Sequence, residues 1–147
     1  MKISLGADHK GYAYKVLIKT ILQQKGYDIS DHGAFSEESS DYPDFAEAVA
    51  RDVKLEKAEF GILICWTGAG MSIAANKIKG IRAALALTSE MAELMRSHNN
   101  ANILVLAAKY TPLEGLGEII DTFLKTPFDG GRHQRRLEKI QKFEDVE

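Results

Sequence analysis

The residues from Phe60 to Lys77, Phe-Gly-Ile-Leu-Ile-Cys-Trp-Thr-Gly-Ala-Gly-Met-Ser-Ile-Ala-Ala-Asn-Lys, constrain the fold of this chain more than any other stretch. Gly61 to Cys65 is an apolar run without polar alternation, the pattern of a strand buried on both faces of a parallel sheet. A turn of small residues follows, Thr67-Gly68-Ala69-Gly70, and Met71 to Asn76 reads as the first turns of a helix. Open α/β sheets take ligands at such a turn, between a central strand and a helix amino terminus, where backbone amides and the helix dipole favour an anion. The Cys65 thiol and the Thr67 hydroxyl belong to that spot.

The rest of the chain repeats the strand-then-helix alternation. Lys2 to Leu5 reads as a strand and Gly6 to Gly11 as a turn. Tyr12 to Lys25 carries Ala13, Leu17 and Ile21, and Tyr14, Ile18 and Leu22, at helical spacing and closes on Gly26. Tyr27 to Ser30 is a second strand, and a serine- and acid-rich loop from His32 to Asp41 leads to a helix started by Pro43, with Phe45, Val49 and Val53 on its buried side. Beyond the central turn, Ile81 to Leu85 is a fourth strand, Ser89 to Ser97 a helix and Ile103 to Leu106 a fifth strand. Thr111-Pro112-Leu113-Glu114 predicts a capping box with proline at the first helical position, ahead of Leu116, Ile119, Ile120 and Phe123. Pro127 to Gly131 breaks the chain before a last helix bearing Arg132, Arg135, Arg136, Lys139 and Lys142. With no repeat and no low-complexity linker, this pattern predicts one domain over residues 1–147, a three-layer α/β/α fold around a five-stranded parallel sheet.

Composition narrows the partners. A formal net charge of −2 argues against a protein that neutralises many nucleic-acid phosphates. The lone cysteine forms no internal disulfide, no apolar run approaches membrane-spanning length, and no signal-peptide pattern is present, so a cytoplasmic location with a reduced thiol is expected. Gly6 to Gly11 has the two-glycine frame of a P-loop, but Tyr12 and Ala13 stand where Lys and Ser or Thr are required. Neither Gly6 nor the pair Gly68 and Gly70 completes a dinucleotide fingerprint. No cofactor is indicated.

In a parallel sheet, Asp8 and His9 after the first strand, Cys65 and Thr67 after the third and Lys109 after the fifth share the carboxyl edge. His98 follows a helix and precedes a strand, which assigns it to the opposite edge. A strand of this length is roughly 17 Å long. His98 and Cys65 can therefore act on one substrate only if a second subunit supplies one of them. Each group also has a plain structural reading: Cys65 as packed core, Asp8 as a helix cap, His98 as a helix end, and the arginines of the last helix as a solvated face.

Five segments together change the weight of these readings: Cys65-Trp66-Thr67-Gly68-Ala69-Gly70-Met71-Ser72-Ile73-Ala74-Ala75-Asn76-Lys77, Gly6-Ala7-Asp8-His9-Lys10-Gly11, Asp41-Tyr42-Pro43, His98-Asn99-Asn100-Ala101-Asn102 and Gly130-Gly131-Arg132-His133-Gln134-Arg135-Arg136. In their order along the chain, over about residues 1–140, they resemble the type B ribose-5-phosphate isomerases, a family that includes galactose-6-phosphate and allose-6-phosphate isomerase subunits. The resemblance implies a strand order 2-1-3-5-4 and aldose–ketose isomerisation of a phosphorylated sugar through an enediolate, without metal or cofactor. It further implies Cys65 as the base, Thr67 on the reacting oxygens, and backbone amides from Gly68 through Gly70 and Met71 to Ser72 as an anion hole. His98, paired with Asp8 across a subunit interface, would open the sugar ring. His9, Arg132 and Arg136 would hold the phosphate, with Asn99 and Tyr42 lining the site. A homodimer or homotetramer with the site between subunits is expected, the basic helix from about residue 132 packing on the partner.

Three positions depart from the family pattern. Trp66 stands where glycine is common, Lys109 where a phosphate-binding arginine is usual, and Ala86-Leu87-Thr88-Ser89 replaces a polar pair. Besides ribose 5-phosphate isomerisation, two alternatives follow: a six-carbon sugar-phosphate isomerase, and a catalytically silent phosphosugar-binding protein in which Trp66 blocks the base.

Overall fold

The chain alternates β1 (Lys2–Ala7), α1 (Tyr12–Gln24), β2 (Asp28–Asp31), α2 (Tyr42–Lys54), β3 (Phe60–Cys65), α3 (Ala69–Ala75), β4 (Ala83–Leu85), α4 (Ser89–Ser97), β5 (Ile103–Ala107), α5 (Leu113–Lys125) and α6 (Arg132–Gln141). The structure is a computed structural model that describes residues 1–146. All four strand pairings are parallel, in the order β2-β1-β3-β5-β4, which is the order the resemblance implies. Alternation along the central strands divides the core in two. Ile62 and Ile64 pack with Ile18 and Leu22 of α1, Ala92 and Met95 of α4 and Phe123 of α5. Leu63 and Cys65 pack on the other face with Val49 of α2 and Met71 and Ala75 of α3.

This division fixes where a ligand can sit. The chain leaves β1 through α1 on one face and leaves β3 through α3 on the other, so the two turns part above the sheet and open a crevice between them. Gly11 lets α1 begin hard against β3, since a Cβ there would stand 2.5 Å from the Ile64 carbonyl oxygen.

Several sequence-based boundaries shift. α3 begins at Ala69 rather than Met71, because Gly68 takes φ 82° as its N-cap and turns the chain into the helix at once. β4 starts at Ala83 rather than Ile81, because asparagine side chains replace the ladder there: Asn102 accepts from the Arg82 amide and donates to the Gly80 carbonyl, while Asn76 bonds both backbone groups of Ala83. The capping box at Thr111 does not form. Pro112 is the N-cap of α5, and the Thr111 amide turns back to the Ala107 carbonyl, leaving the Thr111 hydroxyl buried, one residue too early to cap and without a partner among the described residues. α6 ends at Gln141, so Lys142 opens a short 3-10 turn instead of extending the helix. No helix among the described residues is long and apolar enough to cross a membrane.

Candidate active site

At the carboxyl edge the backbone ties the turns together before any side chain acts. The Asp8 amide donates to the Ile64 carbonyl, the Ala108 amide to the Cys65 carbonyl and the Lys109 amide to the Trp66 carbonyl. Asp8 is a local cap in the sense the sequence suggests, although the formal N-cap of α1 is Gly11: its Oδ1 accepts the amides of Lys10 and Gly11, each at 3.0 Å. This fixes a nearly buried carboxylate whose second oxygen has no intrachain hydrogen bond among the described residues. His9 is held from the loop before α2. Its amide donates to Ser40 Oγ and its Nδ1 accepts the Ser40 amide, an arrangement that assigns the neutral ring's proton to Nε2.

Cys65 ends β3 with its side chain toward α2 and α3 and only 4% exposed. Thr67 is exposed, its hydroxyl accepting the Ala69 amide at 3.4 Å. Gly68 cannot carry a side chain, since a Cβ would lie 2.7 Å from Leu85 Cδ1 at a positive φ. Gly70 lies under the Tyr42 ring, whose atoms would approach a Cβ to 2.6 Å. Tyr42 therefore roofs the first turn of α3. The Ser72 amide bonds back to Gly68, whereas the amides of Gly70 and Met71 have no acceptor among the described residues, as expected at a helix start. The Ser72 hydroxyl is buried and also has no partner among the described residues. Met71 is fully buried, so its backbone alone reaches the turn.

Trp66 follows the alternation to the opposite side from Cys65, and its ring meets Lys10, whose ammonium lies 5.4 Å from the ring centre. The indole therefore leans over the turn before α1 instead of over the thiol. Lys109 is exposed, its ammonium 5.5 Å from the centre of the Tyr110 ring.

A second cluster sits at the amino edge. His98 caps the carboxyl end of α4, and its ring stacks on His133 of α6 with centroids 4.3 Å apart and planes at 12°. Arg96 anchors this end of α4 by donating to the Asn100 side chain and to the Ala101 and Thr126 carbonyls. Asn99 accepts from Arg82 through its backbone carbonyl, and its side-chain amide has no hydrogen bond among the described residues. Arg132 and Arg136 are exposed and form no ion pair among the described residues. Burial, and then repulsion from His98, Arg132 and Arg136, pushes the His133 pKa down, against an opposing pull from Asp129. His98, Asp129 and His133 bring donor atoms within 4.8 Å of one another. Imidazole lone pairs lie in the ring plane, and two nearly parallel stacked planes do not converge on one ion, so this trio does not fit a metal as it stands.

The structure thus brings Asp8, His9, Cys65, Thr67 and Lys109 to one edge and His98, Asn99, Arg132 and Arg136 to the other. Gly61, at the start of β3, donates to the Asn102 carbonyl, and Cys65 ends the strand; that length is about 13 Å.

The ribose/galactose isomerase family matches residues 3–140. The chain belongs to this family. It is 42% identical over 143 residues to ribose-5-phosphate isomerase B of Escherichia coli (strain K12), covering 97% of this chain and 96% of that protein. Its structure is similar to that of Clostridium thermocellum ribose-5-phosphate isomerase B, with a TM-score of 0.97 and 48% identity over 99% of this chain and 98% of that one. It is also similar to Mycoplasma genitalium ribose-5-phosphate isomerase B with bound ribulose 5-phosphate, with a TM-score of 0.94 and 42% identity over 99% and 97% of the two chains.

Within this isomerase fold, three supporting residues escape a reading of the sequence. Ser40, which orients His9, lies in a loop without periodicity. Asp129 lies in a segment that reads only as a breaker. His133 falls in a run of basic residues that reads as a solvated face, yet it is nearly buried four residues before the buried Leu137. That spacing is the one signal that could have found it.

Proposed function

We propose that this chain interconverts ribose 5-phosphate and ribulose 5-phosphate. The observation that carries the reading is the grouping, at the end of β3, of the Cys65 thiol with the Gly70 and Met71 amides and the Ser72 hydroxyl, none of which has a partner among the described residues. Isomerisation removes a proton from C2 and returns it to C1, while negative charge grows on the oxygens. Cys65 as thiolate takes the proton from C2 and returns it to C1, while at the enediolate stage the hydroxyl proton of O2 passes to O1. The amides from Gly68 to Ser72, with the Thr67 hydroxyl, stabilise the enediolate oxygens. The relative with bound ribulose 5-phosphate supports the substrate class.

Ring opening falls to His98 of a second copy, next to Asp8, whose free carboxylate oxygen stands ready to orient it. His9, Lys109 and the second copy's Arg132 and Arg136 hold the phosphate, while Tyr42 and Asn99 line the sugar. The active unit is accordingly at least a homodimer, with α6 packed on the partner. Exposed Ile73, Ile140 and Phe143 supply apolar surface for that contact. A reduced thiol as base suits a cytoplasmic location. The direction of Trp66, away from Cys65, speaks against a blocked base, and nothing in the site favours a six-carbon sugar.

The test is conversion of ribose 5-phosphate by the purified protein without added metal. Cys65→Ala is expected to lower turnover about a thousandfold while phosphosugar binding changes little, since a base acts on the transition state. Equal loss of both would remove Cys65 from that role.

A further inference from the structure

The crevice between β1 and β3 holds one pair that the mechanism above leaves unused. Lys10 comes from the turn after β1 and Trp66 from the turn after β3, and their side chains meet across the opening with the ammonium 5.4 Å from the ring centre. Both backbones are fixed, Lys10 by its amide on Asp8 Oδ1 and Trp66 by its carbonyl under the Lys109 amide. Lys10 makes no ion pair among the described residues. Asp8, the carboxylate of the same turn, faces two backbone amides through Oδ1.

An ammonium held against an indole face keeps its full charge for an incoming anion and gives up less rotamer freedom when the anion arrives. A carboxylate partner would have to be displaced; a ring does not. The position is next to His9 and at the switch point of the sheet, where a sugar phosphate would enter. We propose that Lys10 is a further substrate-binding residue that takes the phosphate dianion of the sugar phosphate, and that Trp66 is its positioning residue. This rests on the isomerase reading given above.

Trp66 is the only tryptophan in the chain, so its emission reports on this contact directly. Saturating ribose 5-phosphate is expected to change that emission in the wild-type protein. Lys10→Met, which keeps the stem and removes the charge, should raise KM for ribose 5-phosphate about fivefold and leave kcat within about twofold. Trp66→Leu should raise KM similarly, and Trp66→Phe, which restores an aromatic face, should recover most of it. Thermal melts of all three variants check that folding is intact. Unchanged KM in Lys10→Met, with the wild-type enzyme active, overturns the assignment of Lys10 and leaves the isomerase reading standing. Equal KM in Trp66→Leu and Trp66→Phe overturns the role of the ring. A wild-type protein that neither binds nor converts ribose 5-phosphate overturns the isomerase reading and this proposal with it.

Discussion

At the carboxyl edge, Asp8, Cys65 and Lys109 stand in turns whose backbones bond one another, whereas at the amino edge His98 and His133 rest on each other's rings and Arg132 and Arg136 extend into solvent. The first region is finished within one chain, since its glycines, its Asx turn and the Ser40–His9 pair leave little to adjust. The second brings His98, Asp129 and His133 together, and the His133 pKa is lowered first by burial and then by repulsion from His98, Arg132 and Arg136. On the proposed function, the edge that holds Cys65 and the edge that holds His98, set a strand length apart, would serve one substrate only where two copies meet.

The largest expected effect that separates the two regions is on phosphate affinity. Arg136→Ala should raise KM about thirtyfold with kcat changed less than about threefold, because a charge-assisted contact to a non-reacting group contributes to ground and transition states alike. Steady-state kinetics with the reverse pattern would take Arg136 out of the phosphate site. At the rigid edge, Gly70→Ala puts a methyl group into the space of the Tyr42 ring and should lower kcat/KM about tenfold, with Thr67 and Cys65 chemically intact. Wild-type kinetics in that variant would show that Tyr42 does not roof the substrate. The smallest effect is a titration. His133 should lose its proton below the ordinary histidine range in the free protein, and its pKa should rise when inorganic phosphate neutralises the arginines beside it. Because the folded pKa is lowered, folding disfavours the proton, and this group's contribution to stability falls away as pH drops below about 6.5. Imidazole proton shifts followed by NMR with and without phosphate decide the point; an unmoved or falling pKa would separate His133 from the anion site.

The sequence makes the sheet legible because its signals are local. The apolar run at Gly61 to Cys65 gives both the buried strand and the edge on which its thiol emerges, and the alternation of elements gives parallel pairing. Asp8 shows the same legibility at a finer scale, since an aspartate two and three residues before Lys10 and Gly11 at a helix start is placed to accept their amides, as its Oδ1 does. The capping box shows the limit. Thr111 has the right neighbours, but its amide bonds the Ala107 carbonyl in the turn that ends β5, a partner that lies upstream of the four residues of the box. The start of β4 fails for the same reason, since Asn76 and Asn102 close its ladder from elsewhere in the chain. The direction of Trp66 depends on which face of β3 its neighbours occupy, and Cys65 and Ile64 lie in separate cores.

Complementation between two inactive variants tests most directly whether the two regions serve one substrate across two copies. Cys65→Ala and His98→Asn, each nearly inactive on its own, are mixed in equal amounts under conditions of subunit exchange verified by native mass spectrometry. Random pairing places one intact site in half of the dimers, so ribose 5-phosphate turnover should recover to about a quarter of the wild-type value. Turnover that stays at the level of the separate variants, with exchange demonstrated, would mean that each chain uses its own Cys65 and His98 and would contradict the shared site.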